Sequence, residues 1–451
     1  MYSDTKRVVK VARSFALREG RAGGSQAARP DAPRPSEIGC KMSNPRFPGG
    51  MGAFRSGMSP AVKEFSDMAT RNRWVLLAIA WCVALNLRGI YLSVSPLLPF
   101  IKNDLGLTYV EAGLLFSTPT ILMAVFGFPG GWLADTIGMK RTLTLGLVLI
   151  LAGAALRAAA PDFRMLLLWT ALLGAGMGIS GPCLTRMVKD RFADLPGTAT
   201  GIYTTGIIMG ATLATWLTYP FLLGWTGSWK GTFLVWSAVA LFGLLGWVLL
   251  APSDDGAGGG APKIAGIWRD RTVWKLNIIF LAQGFVFYSL SSWIPTYYHE
   301  LGLTLKTSTR ILAVFIFLNL PSSLIIPYVS DKTGGTKTSL IVSGAILLPA
   351  VFGMIFFPLA LTWVYPFLMG IAMGGIFALS FALPLEYVEP RLVGSVAGAN
   401  LLVGYGGTFA GPIIIGWVHD LTGEFTGGWF LVIGSIVLLM LTAWRLPKQV
   451  Y

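Results

Sequence analysis

The chain has 451 residues, 54% of them hydrophobic and only 12% charged, with a mean hydropathy of +0.65. A soluble domain carries about a quarter charged residues, so half that share excludes an ordinary globular enzyme and points to a lipid-facing protein. The net charge of +14 is concentrated in residues 1–73 with no aromatic ladder beside it, which excludes a nucleic-acid reading and suits an anionic membrane surface or a chain without fold.

Residues 1–73 are rich in Gly, Pro, Ser and Arg and lack a secretory hydrophobic region, so they read as a basic, disordered extension. From Trp74 the pattern changes to apolar runs of bilayer length, about 20 residues each. Twelve are predicted: 74–100, 110–133, 142–159, 164–188, 198–223, 231–251, 273–298, 307–329, 338–358, 361–386, 394–418 and 427–446. Helices are the expected form, because lipid leaves every backbone polar group to be satisfied within the segment. The polar, glycine-rich stretch 252–271 divides the chain into six-span halves, 74–251 and 272–446, and 447–451 forms a short tail.

The halves repeat one another. Asp135 recurs as Asp331 and Gly138 as Gly334, an offset of 196 residues that also carries Gly174, Met177 and Gly178 onto Gly370, Met373 and Gly374. A constant long offset marks an internal duplication. The segment Gly131 to Arg141, with Gly131, Asp135, Gly138, Lys140 and Arg141 in place, resembles the loop between the second and third helices of the major facilitator superfamily. The second copy keeps Asp331 and Gly334, has Pro327 for the first glycine, and ends on Lys337 alone.

That resemblance implies an all-α membrane protein of twelve helices in two pseudo-symmetric bundles, working by alternating access, with no cofactor, no enzyme activity and a small-molecule substrate. Asp135 can accept from a neighbouring helix N-terminus or pair with a base across the bundle, and the resemblance implies that such pairing closes a cytoplasmic gate formed by the two loops, with Lys140, Arg141, Asp331 and Lys337 among its residues. Gly131 would let helix ends approach, and Gly138 and Gly334 would take tight turns. Lysines and arginines crowd the loops on that side, which puts both termini in the cytoplasm of a plasma (inner) membrane carrier. Arg157, by the same count, belongs to the outer side. The expected assembly is a monomer in the bilayer.

Other chemistry has little to stand on. Cys40, Cys82 and Cys183 have no paired spacing, and His299 and His419 sit at the ends of apolar runs, which leaves no metal site. Gly176 to Gly181 matches G-x-G-x-x-G inside an apolar span with no preceding strand, so it is not a dinucleotide loop, and no P-loop sequence occurs.

Arg88 is the sharpest candidate. It lies near mid-span in the first run, where insertion costs about 2.5–3.5 kcal/mol, so it should face a cavity. No Asp or Glu lies deep in any span; Glu111, Glu300 and Glu386 are at span ends, where Glu111 or Glu300 could serve a proton. A cation without a carboxylate suits an anionic substrate with planar oxygens. Tyr91 shares its helical face, and the offset adds Gln283, Tyr288, Tyr203 and Asn400 as candidate liners. Glycines four apart (Gly197 and Gly201, Gly206 and Gly210, Gly394 and Gly398, Gly407 and Gly411) predict close helix contacts.

The first span, Asn86-Leu87-Arg88 followed by Ser93-Val94-Ser95-Pro96-Leu97-Leu98, resembles the cyanate and nitroimidazole carrier group, with Gly89 in place of its Pro and Ser95 in place of its Gly. The resemblance implies a small anion, cyanate-like or organic. A nitrate/nitrite porter or a drug exporter of the same superfamily is the alternative, and a non-transporting membrane sensor or scaffold is the alternative of another class.

Overall fold

The computed structural model describes residues 60–192, 195–251, 267–333, 335–389 and 392–447. The contacts of Glu64–Tyr451 form one compact unit. The described elements are helical throughout, and twelve of the helical segments are long and apolar enough to cross a membrane. The N-terminal half comprises α1 (Pro60–Leu92), α2 (Val94–Leu105), α3 (Tyr109–Thr136), α4 (Met139–Ala158), α5 (Phe163–Arg191), α6 (Pro196–Leu217) and α7 (Trp229–Leu250). The C-terminal half comprises α8 (Arg271–Glu300), α9 (Leu305–Thr333), α10 (Thr336–Phe356), α11 (Val364–Tyr387), α12 (Val393–Thr422) and α13 (Thr426–Trp444).

One boundary differs from expectation. The first helix begins at Pro60, inside the stretch read as extension, whose residues 1–59 lie outside the described part. The first span runs on from α1 into α2 through Ser93, which keeps helical dihedrals (φ −60°, ψ −20°) and donates its N–H to the Gly89 carbonyl at 3.0 Å. Pro96 weakens the helix there, since it brings no N–H to the carbonyl four residues before it. The fifth span ends in a π-helical turn, Thr218–Leu223, around Pro220 for a similar reason. At the start of α3, Glu111 is taken up by a capping box: its carboxylate accepts from the Thr108 N–H at 2.9 Å, and its own N–H donates to the Thr108 hydroxyl at 3.1 Å. That corrects its reading as a proton carrier.

The duplication is visible atom by atom in the packing. A Cβ on Gly174 would lie 2.6 Å from Pro119 Cα, and one on Gly370 would lie 2.6 Å from the Phe315 carbonyl oxygen, 196 residues on in both partners. On the other helix pair, a Cβ on Gly210 would meet the Leu85 carbonyl at 2.1 Å, and one on Gly407 would meet the Leu281 carbonyl at the same distance. These glycines let α5 approach α3 and α11 approach α9, and let α6 approach α1 and α12 approach α8, backbone to backbone. Gly201 and Gly398, by contrast, face open space, so the expected contact is made by Gly206, Gly210, Gly407 and Gly411 and not by those two.

The halves meet on an axis. The Ser95 hydroxyl donates to the Ser291 carbonyl at 2.7 Å, and these residues are 196 apart, so each is the duplicate of the other. Hydrogen bonds between halves also gather at the end of the molecule where α3 begins. Asp420 accepts the N–H groups of Tyr109 (2.9 Å) and Val110 (2.8 Å), and the Tyr109 hydroxyl donates to Glu300 at 2.6 Å. The His419 ring stacks on Tyr109 at 3.7 Å and its Nε2 lies 3.2 Å from Glu300.

Candidate functional site

Arg88 sits two turns before the Ser95–Ser291 crossing, near the axis between the halves. Its side chain is half-buried, as a long cation facing a cavity should be. The guanidinium carbon lies 5.8 Å from the Tyr91 ring centre and 5.6 Å from that of Tyr288, across the axis. Tyr405 on α12 is the third tyrosine close enough to act on it electrostatically. Among the described residues Arg88 makes no ion pair. A cation held against aromatic faces, with no carboxylate to neutralise it, keeps its charge and its planar donors available to an incoming anion.

The walls of this site are fixed by aromatic packing. Tyr91 is buried, donates its hydroxyl to the Phe116 carbonyl at 3.0 Å, and lies 6.2 Å from Tyr288 ring to ring. Phe287 and Phe116 flank Tyr288 at 5.3 and 6.4 Å. The position equivalent to Arg88 in the second half is Gly284, where a Cβ would lie 2.8 Å from the Gly404 carbonyl. The pseudo-symmetry therefore ends at the site: one half supplies the charge, and the other supplies tight backbone and tyrosines.

Of the six predicted liners, Arg88, Tyr91 and Tyr288 come together. Gln283 is buried on α8 next to Gly284. Tyr203 on α6 is half-buried and bonded to Thr185 of α5. Asn400 is 3% exposed and lines a small cleft with Phe280, Ser380, Phe381 and Pro384 of the C-terminal half, and its side-chain amide has no hydrogen-bond partner among the described residues. Tyr405 was missed. The signal for it was a lone tyrosine among Gly404, Gly406 and Gly407, where the glycines press α12 onto α8 and leave the aromatic to the other side. A separate cleft, bounded by Val75, Ile79, Cys82, Phe242 and Gly246, is apolar and does not include Arg88.

The duplicated loops do not pair across the halves through their acids. Asp135 binds Arg186 of its own half at 2.5 Å, and Arg186 also reaches Asp190 at 3.3 Å. Lys140 donates to the Ala251 carbonyl at 2.5 Å and Lys337 to the Leu446 carbonyl at 3.3 Å, each closing its own half. Arg141 and Asp331 are exposed, and Asp331 has no ion pair among the described residues. In the second loop the bond is instead between Thr336 and Glu386, at 2.6 Å.

One glycine assignment changes. The close approach belongs to Gly130, whose Cβ would stand 2.6 Å from Ile179 Cα, whereas one on Gly131 would meet nothing nearer than 3.9 Å. Gly138, at φ +91°, takes the turn as expected and starts α4. Gly334 lies outside the described residues, and the helix start equivalent to Gly138 is Gly335, one residue later.

Residues 76–412 match the family model for the Major Facilitator Superfamily. The chain is 27% identical over 371 residues to the uncharacterized transporter YycB of Bacillus subtilis, covering 81% of this chain and 91% of that one. It is 25% identical to the cyanate transport protein CynX of Escherichia coli (82% and 96% covered) and 27% identical to the 2-nitroimidazole transporter of that organism (80% and 92%). A bacterial homolog of the human lysosomal transporter Spinster has the same fold, with a TM-score of 0.67 at 19% identity over 82% of this chain and 95% of that one.

Proposed function

Since the chain belongs to the Major Facilitator Superfamily, we propose that it is an alternating-access carrier for a small anion, inorganic or organic, held at Arg88. One observation carries this reading: Arg88 lies half-buried at the junction of the halves, between Tyr91 and Tyr288, without an ion pair among the described residues. A structural arginine at that depth would be expected to meet a carboxylate. A substrate oxyanion supplies the missing charge, and the guanidinium plane and tyrosine hydroxyls give it directional donors. The similarity to a cyanate transport protein agrees with a compact anion, and the nitroimidazole relative agrees with a planar one.

The lysine and arginine asymmetry supports both termini and the two duplicated loops on the cytoplasmic side. Arg157, counted with the opposite side, is fully buried, which removes it from that tally and sharpens the bias. With this orientation the Tyr109 end faces outward, and the described conformation is closed there.

Purified protein in liposomes tests the reading by counterflow of small anions. Arg88→Ala should abolish flux and Arg88→Lys should keep part of it, since a lysine retains the charge without the planar fork. Normal flux with Arg88→Ala would overturn the anion site.

A further inference from the structure

A second arginine is less easily explained than the first. Arg157, in the last turn of α4, is 0% exposed. Its guanidinium carbon lies 4.3 Å from the centre of the Phe233 ring on α7, and its Nη2 reaches the Ile90 carbonyl at 3.4 Å. Its Nε and Nη1 have no hydrogen-bond partner, and it makes no ion pair among the described residues. As a device for stability this is poor: an apolar side chain of the same length would fill the space without burying a charge. Buried charges inside a membrane bundle mark tasks other than packing.

The carbonyl it touches indicates the task. Ile90 is in the last turn of α1, and its oxygen also accepts the Ser93 hydroxyl at 2.8 Å. Ser93 joins α1 to α2, one turn before Pro96 removes a backbone donor from the helix. Two side-chain donors thus converge on one carbonyl at this weakened turn, one from the first span and one from the third. On the same segment, Gly89 leaves room for Trp236 of α7, which a Cβ would meet at 3.0 Å. The back of 89–93 is therefore held by α4 and α7, and Arg88 and Tyr91 project from this segment toward the Tyr288 side.

We propose that Arg157 is a positioning residue for Arg88. Its guanidinium pins the turn 90–93 of the first span to α4 and so holds residue 88 toward Tyr288 while the halves move. This rests on the reading of Arg88 as a cavity residue, and it can fail independently of that residue's role with anions.

The test reads the direction of residue 88 without a substrate. In a chain with Cys40, Cys82 and Cys183 replaced by serine, Arg88→Cys is labelled with a water-soluble methanethiosulfonate, with and without Arg157→Met. Loss of a hydrogen bond from a charged donor should slow labelling by about tenfold, and Arg157→Lys should restore most of the rate. In the chain that keeps Arg88, Arg157→Met should raise KM for the transported anion by a similar factor and change the maximal rate less. Should Arg157→Met fail to assemble as judged by gel filtration, Ser93→Ala, which removes the other donor to the same carbonyl, should slow labelling in the same direction. Equal labelling rates in the assembled variants would overturn the proposal. Slowed labelling together with normal flux from Arg88→Ala would support the positioning role and overturn the anion site alone.

Discussion

Removing the Asp420 carboxylate should open the Tyr109 end. That carboxylate belongs to one half and accepts two backbone N–H groups from the first two residues of α3 in the other half, at 2.9 and 2.8 Å. These donors are orphans of a helix start, and the helix dipole adds to their pull on an anion. Hydrogen bonds to a charged acceptor contribute about 1.5–3 kcal/mol each when shielded, but Asp420 is exposed, and screening reduces such terms. We therefore expect Asp420→Ala to cost the closed state about 1–2 kcal/mol, a shift of roughly 5- to 30-fold in the ratio of closed to open molecules. Spin labels on Asn103→Cys and Glu424→Cys, both at exposed positions of this end, would report the distance between halves in a chain free of its own cysteines. Asp420→Ala should move the distribution toward longer separations, and Asp420→Asn, which keeps an acceptor, should move it less. An unchanged distribution in a properly assembled Asp420→Ala protein would refute the assignment of this contact as a latch.

The tyrosines around Arg88 should matter through their hydroxyls: Tyr288→Phe or Tyr405→Phe should raise KM for the transported anion by about 3- to 10-fold, measured by uptake into liposomes. Gly210→Val and Gly407→Val, whose Cβ atoms would stand 2.1 Å from a backbone oxygen, should lower the melting temperature in detergent sharply, while Gly201→Ala and Gly398→Ala, with open space around them, should leave it near the parent value. Gly138→Ala forces an L residue to φ +91° and should destabilise by about 1–3 kcal/mol, against almost no change for Gly131→Ala in the same thermal assay.

The twelve spans and their duplication were legible because lipid imposes a length and a composition on every crossing segment. Likewise, Gly174 and Gly370 could be matched across halves because each does the same steric job. Pro96 and Pro99 are visible in the first span, but neighbouring helices decide whether a membrane helix bends or stops at a proline, and here it runs on through Ser93. Arg88 stands out in the sequence by its cost alone, and Tyr91 by its place on the same face. Pseudo-symmetry names the helix that carries Asn400 but not how far that helix is turned about its own axis. Arg157 was assigned to the aqueous side because it lies near a span end, and only the packing of Phe233 and Ile90 around it shows that it is sealed in. Asp135 was expected to meet a helix N-terminus or a base across the bundle, and the sequence alone does not say which base; the packing brings Arg186 of the fourth span to it.

The contact between Ser95 and Ser291 has a consequence for descent. Where a residue touches its own duplicate, the ancestral arrangement was two identical six-span subunits meeting on a two-fold axis, with each contact made twice. Joining them into one chain released the two copies of each axial residue to change separately. Here Ser95 donates to the carbonyl of Ser291, and the nearby Arg88 faces a glycine equivalent at Gly284. A symmetric ancestor could carry either two arginines at that depth, repelling each other across the axis, or none. A single one became possible only after fusion, and the axial bond has lost its symmetry in the same way, since the Ser291 hydroxyl finds no hydrogen-bond partner among the described residues.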